Sequence, residues 1–352
     1  MRRRIPVRLT LALGLAASAV ACSPVYVFKA AVAQVGILGN RRPLAEMVLD
    51  PATDAHTRGA LTLVMEAREF ARDQLELDVG GSYTSYSELE SDTLALVLSA
   101  AHRDRLAPRT WWFPVVGHVP YRGFFSREDA LAAQRELESQ GFDTYLRPTA
   151  AFSTLGWFDD PLLSSVLEAD HVEVVTTVLH ELSHNHLFVP GQVTFNESFA
   201  TFVGRVAAAE FFCTRPGGGP DTVWCRRARA RWRDTLRFSA FLDGFVAELE
   251  TLYADPALPA AEKLERREAI FRQAQEQFRT EVAPALESLT FASFTGLPLN
   301  NATLLSRVRY YHRLHDFQAL LESSGGLREA VEAIRVGVPS HPDPYSLLRT
   351  TP

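Results

Sequence analysis

The stretch Val172-Glu173-Val174-Val175-Thr176-Thr177-Val178-Leu179-His180-Glu181-Leu182-Ser183-His184 decides how this chain reads. Val172, Val175, Leu179 and Leu182 recur at i, i+3, i+7 and i+10, the stripe of an amphipathic helix, which the spacing predicts over Glu168–Leu187. Its second half fits H-E-x-x-H. With 10 His and 42 acidic residues among 352, chance gives about 0.03 such matches. His180 and His184 stand one turn apart on one face, where both imidazoles can reach a single metal ion at about 2 Å. Glu181 is adjacent but rotated, so it addresses an open coordination position and can move a proton there. The bland alternative for such a motif is a solvated polar face.

Moving outward, Pro190-Gly191 breaks the helix almost midway between His184 and Glu197. A second helix is expected from about Phe195 to Phe212, and the resulting hairpin returns Glu197 beside the two histidines. Asn196-Glu197-Ser198-Phe199-Ala200 resembles the N-E-x-F-A stretch that supplies the Glu ligand in thermolysin-like and alanyl-aminopeptidase-like gluzincins, although the spacing here is shorter. His180, His184 and Glu197 would hold one zinc ion, and three protein ligands leave a fourth position for water, the mark of a hydrolytic centre.

At the N-terminus, Arg2-Arg3-Arg4 precede an apolar run, Leu9 to Ala21, that suits an export signal and is too short to span a bilayer. Ala19-Val20-Ala21-Cys22 resembles a bacterial lipobox, with Ala19 in place of the more usual Leu. Residues 1–21 are therefore expected to be a lipoprotein signal peptide, with Cys22 lipidated and the protein anchored in the cell envelope facing the periplasm. Ser23 after the Cys suggests the outer membrane by the sorting pattern of enterobacterial lipoproteins. Ordinary cleavage after Ala21 and a free soluble protein is the alternative. Of three Cys, the remaining pair, Cys213 and Cys225, flank Gly217-Gly218-Gly219-Pro220. A disulfide and two buried free thiols are both open to them.

The chain is 47% apolar and 22% charged, which excludes a disordered or disulfide-scaffold protein. Formal net charge is −6. Loss of the four arginines of the signal would leave the chain more acidic still, so nucleic acid is excluded as a partner. Helices are expected over His56–Leu77 and from Ser126 to about Gln140, and helical stretches over 222–254, 260–288 and 300–323. Thr93–Ala101 and Trp111–Val116 read as buried strands and Asp143–Pro148 as a returning one. The fold class is α+β: a small β-sheet in the N-terminal half, mostly helices after it, and a single domain over residues 22–352.

Other residues carry weaker signals. His186 is two positions from His184 and points elsewhere, which makes it a surface histidine rather than a ligand. Glu173 and Thr177 share the face of His180, as orienting groups or simply solvated ones. Asp159 and Asp160 could hold a substrate amine, but a turn and helix cap before Pro161 is favoured. Arg122 could clamp a substrate carboxylate, with a structural ion pair favoured. Tyr310 or Tyr311 could donate to an oxyanion, with a core position the safer reading. The run Arg226, Arg227, Arg229, Arg231 and Arg233 could meet anionic lipid, but reads as a solvated helix face.

Gly39-Asn40-Arg41-Arg42-Pro43, Trp111-Trp112-Phe113-Pro114-Val115-Val116-Gly117-His118, Tyr121-Arg122-Gly123-Phe124-Phe125, Phe152-Ser153-Thr154-Leu155-Gly156-Trp157-Phe158-Asp159-Asp160-Pro161, the H-E-x-x-H helix, Phe195–Thr201 and Leu299-Asn300-Asn301-Ala302 follow in order. This succession resembles the bacterial family of predicted aminopeptidases, zinc-dependent proteins of the envelope, from Cys22 to about Phe317. The resemblance implies a mostly helical, zincin-like metallopeptidase domain, with zinc on His180, His184 and Glu197 and with Glu181 as base. The chain departs from the family pattern at Trp112 and His118, where Cys is usual, at Phe152 for a Tyr, and at Ser183 and Asn185 for Ala and Gln. The expected function is a zinc peptidase, an aminopeptidase by resemblance, acting on peptides. The rivals are an envelope endopeptidase and a non-catalytic lipoprotein scaffold pinned by zinc.

Overall fold

Apolar residues at helical spacing fill the second half of the chain, while the stretches that read as strands, Thr93–Ala101, Trp111–Val116 and Asp143–Pro148, lie in the first, and the architecture follows that division. The computed structural model describes residues 39, 41–89, 95–113, 117–149 and 159–349. The expected signal segment 1–21 and Cys22 lie outside the described residues, as do the stretches 114–116 and 152–158 of the family-like motifs.

In chain order the strands and longer helices run β1 (Arg42–Pro43), α1 (Ala55–Asp73), β2 (Ser85–Ser87), β3 (Ala95–Ala101), β4 (Trp111–Phe113), β5 (Gly117–Val119) and β6 (Arg122–Phe124). There follow α2 (Arg127–Ser139), β7 (Asp143–Thr149), β8 (Leu162–Leu163), α3 (His171–His186), α4 (Val193–Thr214), α5 (Val223–Ala254) and α6 (Ala260–Gln277). The last three are α7 (Asn301–Tyr311), α8 (Leu314–Ser324) and α9 (Leu327–Gly337). The fold is mostly helical, with small sheets in the N-terminal half.

Strand β3 is the centre of an antiparallel sheet in the order β6-β3-β7, and it pairs with β7 from Ala95 opposite Thr149 to Ala101 opposite Asp143. Helix α2, capped by the Ser126 hydroxyl, which accepts from the Asp129 amide, packs Ala130 against Leu98 and Phe124. Helix α7 packs against β3 and β7 as well, so the sheet is fixed to the helical half. A second small sheet has the order β1-β2-β8 and the third is the pair β4-β5.

Three sequence expectations are corrected. Trp111–Val116 is expected to be a buried strand; its described part, β4, pairs with β5 among the described residues and leaves Trp112 47% exposed, while 114–116 lie outside the described residues. A two-stranded ribbon has no covering layer of its own, and aromatic composition does not say which face a neighbour will cover. Helix α1 stops four residues before Leu77, because Glu76 adopts a left-handed φ of 54° although Leu75 and Leu77 remain buried. The stretch 300–323 is two helices, α7 and α8. His312 and Arg313 break it: the Asp243 carboxylate accepts from the Arg313 amide at 3.0 Å and contacts His312 Nδ1 at 2.8 Å, and Arg313 takes a φ of 53°.

The main core lies where α3, α4 and α8 meet, around Phe195, Phe199, Phe202 and Phe317. Cys213 at the end of α4 and Cys225 at the start of α5 form a disulfide across the glycine turn, with Cα atoms 4.8 Å apart. No described helix is long and apolar enough to cross a membrane.

Candidate metal centre and active site

The Asp170 side chain caps α3 by accepting from the amides of Val172 and Glu173, and the stripe Val172, Val175, Leu179 and Leu182 is buried. Burial of that stripe fixes the rotation of α3 and turns His180 and His184 toward α4. The helix ends at Leu187, which is extended, and the chain reverses through Gly191 at a φ of 77°. Asn196 secures the reversal: its Oδ1 accepts from the Val189 amide and its Nδ2 donates to the Val189 carbonyl, each at 2.9 Å. The asparagine of the N-E-S-F-A stretch thus pins the turn, and the glutamate after it faces the histidines.

Glu197 Oε2 lies 3.3 Å from His180 Nε2 and 3.6 Å from His184 Nε2. The two imidazole rings are 5.0 Å apart between centroids and nearly perpendicular. One ligand atom from each of the three residues falls within 4.8 Å of the others. Close helix packing makes this possible. A Cβ on Gly204 would sit 2.8 Å from the Thr176 carbonyl oxygen and 3.0 Å from His180 Cβ, so the absence of a side chain lets α4 approach α3 at the motif.

The electrostatics are those of a desolvated site. Burial pushes the Glu197 carboxyl up, but the two imidazoles outweigh it and hold Glu197 well below the usual carboxylate range. Burial favours neutral His184, whereas Glu197 favours its charged form and wins. Glu181, between the two histidines in sequence, is raised, with burial the largest cause and Glu197 and Asp160 adding to it against the pull of the imidazoles. Two imidazole nitrogens and a carboxylate oxygen converging on one point are the donor set that zinc takes, so these residues fit that ion.

The remaining candidates divide. Tyr310 joins the site, its ring 6.2 Å from that of His180, whereas Tyr311 packs against Phe238 and Phe291. His186 Nδ1 accepts from the Asp78 amide and stands apart from the ligand set. Glu173 does not orient an imidazole, because Arg205 Nη1 and Nη2 donate to its carboxylate at 2.7 and 3.2 Å and Arg231 adds a third bond. Arg231 also pairs with Asp170 and is buried, and Arg233 pairs with Glu287, so the arginine run is not a uniformly solvated face. Asp159 is not a helix cap: its Oδ1 accepts from the Gly81 amide at 2.9 Å, and the next helix after it begins only at Ser164. Arg122 lies over the Phe124 ring at 5.0 Å. Sequence reasoning missed Tyr121, whose hydroxyl burial and the nearby charge of Glu197 push up to about 12. It also missed Arg309, stacked on Tyr121 at 4.8 Å. Neither belongs to a spaced motif that points at the centre.

A family model described as "Putative aminopeptidase" matches residues 25–335 of the chain. The chain belongs to that family. Membership supports peptidase activity, and the match spans the H-E-x-x-H helix, Glu197 and the α7 helix carrying Tyr310. No curated protein and no solved structure matches this aminopeptidase-family chain.

Proposed function

We infer that this protein is a zinc-dependent peptidase, an aminopeptidase, that cleaves peptides by attack of water with Glu181 as general base. The observation that carries this reading is the convergence of His180 Nε2, His184 Nε2 and Glu197 Oε2 beside the half-buried Glu181. His180, His184 and Glu197 would hold the ion. When bound, zinc supplies Lewis acidity, lowering the pKa of water toward neutrality and polarising a carbonyl.

The protein's own groups supply the rest. The Glu181 carboxylate takes a proton from the attacking water and delivers it to the leaving amine, which restores the carboxylate for the next turnover. A raised pKa suits both halves of that task, because a carboxyl of intermediate acidity both accepts and releases a proton near neutral pH. Tyr310 keeps its proton, since burial and Glu197 both push its hydroxyl up, and it therefore remains a hydrogen-bond donor on the His180 side of the site. A structural zinc would need no acid next to its first histidine, which favours catalysis over a scaffold role.

The test compares free and N-acetylated peptides on wild-type and Glu181→Gln protein. The reading predicts cleavage of free peptides from their N-termini, with blocked ones spared. Glu181→Gln should retain zinc and lose about 100- to 10,000-fold in turnover. Unchanged turnover in that variant contradicts the mechanism, and cleavage within blocked peptides makes the protein an endopeptidase.

A further inference from the structure

Among the described residues, five arginines are at least nine-tenths buried: Arg205, Arg231, Arg267, Arg307 and Arg309, at 9, 8, 2, 9 and 3% exposure. Buried guanidinium groups are normally paired with carboxylates, because an uncompensated charge in a low dielectric is costly. Arg205 has Glu173, Arg231 has Asp170 and Arg267 has Asp143. Arg307 and Arg309, both on α7, have no carboxylate within ion-pair distance among the described residues.

Arg307 is held by carbonyls instead, donating from Nη1 to Thr303 and from Nη2 to Ser293, and it lies over the rings of Tyr145 and Phe294. Among the described residues, the Arg309 guanidinium has only the face of Tyr121, and its buried Nη1 has no hydrogen-bond partner. Cation–π contacts recover part of the lost solvation and leave both charges unneutralised. A third cation, the partly buried Arg147 of β7, reaches only the Pro148 carbonyl, at 3.5 Å, among the described residues. Tyr310 stands between Arg307 and Arg309 in sequence, faces His180, and feels the charges of both Arg147 and Arg309.

Of these groups, Arg147, Arg307 and Tyr310 border a defined space. A cavity of about 300 Å³ is lined by Tyr145, Arg147, Phe291, Arg307, Tyr310 and Tyr311. Tyr310 is thus shared between this cavity and the H-E-x-x-H site. An aromatic pocket with two arginines and no acid is complementary to a planar anion, which a guanidinium fork binds through paired N–H donors. We propose that this cavity is a substrate subsite for a carboxylate, bound by Arg307 and Arg147 while Arg309 supplies a further uncompensated positive charge. The carboxylate comes either from the C-terminus of a short peptide or from an acidic side chain. The substrate role rests on the peptidase reading given above, whereas the anion site itself does not. The same charges would disfavour lysine and arginine side chains in the pocket.

The experiment is calorimetric titration of zinc-loaded Glu181→Gln protein with trialanine, trialanine amide and Ala-Glu-Ala amide, alongside product analysis of the same peptides with wild type. A carboxylate bound by these arginines should tighten binding about 10- to 100-fold over trialanine amide. Tighter binding of trialanine assigns the terminal carboxylate, and tighter binding of Ala-Glu-Ala amide assigns a side chain. Arg147→Gln, at a partly buried position, should remove most of that preference and leave affinity for trialanine amide unchanged. Arg307→Lys, which keeps the charge but loses the fork, should retain part of it. Equal affinity for all three peptides, or a preference that survives Arg147→Gln in full, overturns the subsite. Cleavage without carboxylate preference rejects the subsite alone. Carboxylate preference without cleavage leaves the anion site standing and rejects the peptidase.

Discussion

At the scale of single residues, position matters more than chemical type. Gly204 bears no functional group, yet an added Cβ there would collide with the Thr176 carbonyl and crowd His180. Gly204→Ala should therefore push α4 away from α3, destabilise the protein by about 1–3 kcal/mol and weaken metal binding. Urea denaturation and a competitive zinc titration would read the two effects. The convergence of His180, His184 and Glu197 was legible in the sequence because it follows from fixed helical spacing and one helix break. The Asn196 clamp on Val189 was quoted in a motif but its task was not legible, since a side chain bonding across a turn has no spacing rule. Arg147 and Arg309 were invisible for a stronger reason. They are 162 positions apart in the chain, and only the packing of α7 on β7 brings them to the same tyrosine.

At the scale of elements, α3 is held at both ends. Its C-terminal half carries the histidines, and its first turn is tied to α4 and α5 by Arg205 and Arg231 on Glu173 and Asp170. Burial raises both carboxyls, but the arginines outweigh it and hold both below their usual values. A depressed folded pKa means that the unfolded chain binds more protons near pH 4. The stabilisation is thus complete above the ordinary carboxyl range and is lost as pH falls through the depressed values. Arg205→Met should cost about 1–3 kcal/mol at pH 7, a figure reduced for the solvent-open side of Glu173. The gap from wild type should narrow toward pH 3. Melting curves of both proteins across that range check this, and a gap constant with pH would contradict it. The helices α3, α4 and α5 were readable because each has an apolar face and a capping residue or a glycine turn at its boundary. The break at His312 was not, because the carboxylate that stabilises it belongs to Asp243 on another helix.

At the scale of the whole molecule, the sheet half is joined to the helical half through a buried ion pair. Arg267 of α6 donates from both Nη atoms to Asp143 of β7, at 2.7 and 3.1 Å, and the Asn301 amide at the start of α7 donates to the same carboxylate. Arg267→Met removes the main partner of that carboxylate, leaving it the Asn301 amide and Arg103 at 3.4 Å, and denaturant unfolding should show a loss of about 3 kcal/mol. The α+β division was legible from where helical spacing begins. The sheet order was not, because strands of two to seven residues carry too little pattern to fix their neighbours. The molecule's purpose, on this account, is to bring two helices close enough for three side chains to share one ion. The most direct test is elemental analysis of the purified chain after zinc reconstitution and dialysis, beside the Glu197→Ala variant. The account predicts one zinc per wild-type chain and a zinc-poor variant that remains folded; a wild-type chain that retains no zinc, or a variant that binds it equally well, would contradict the account.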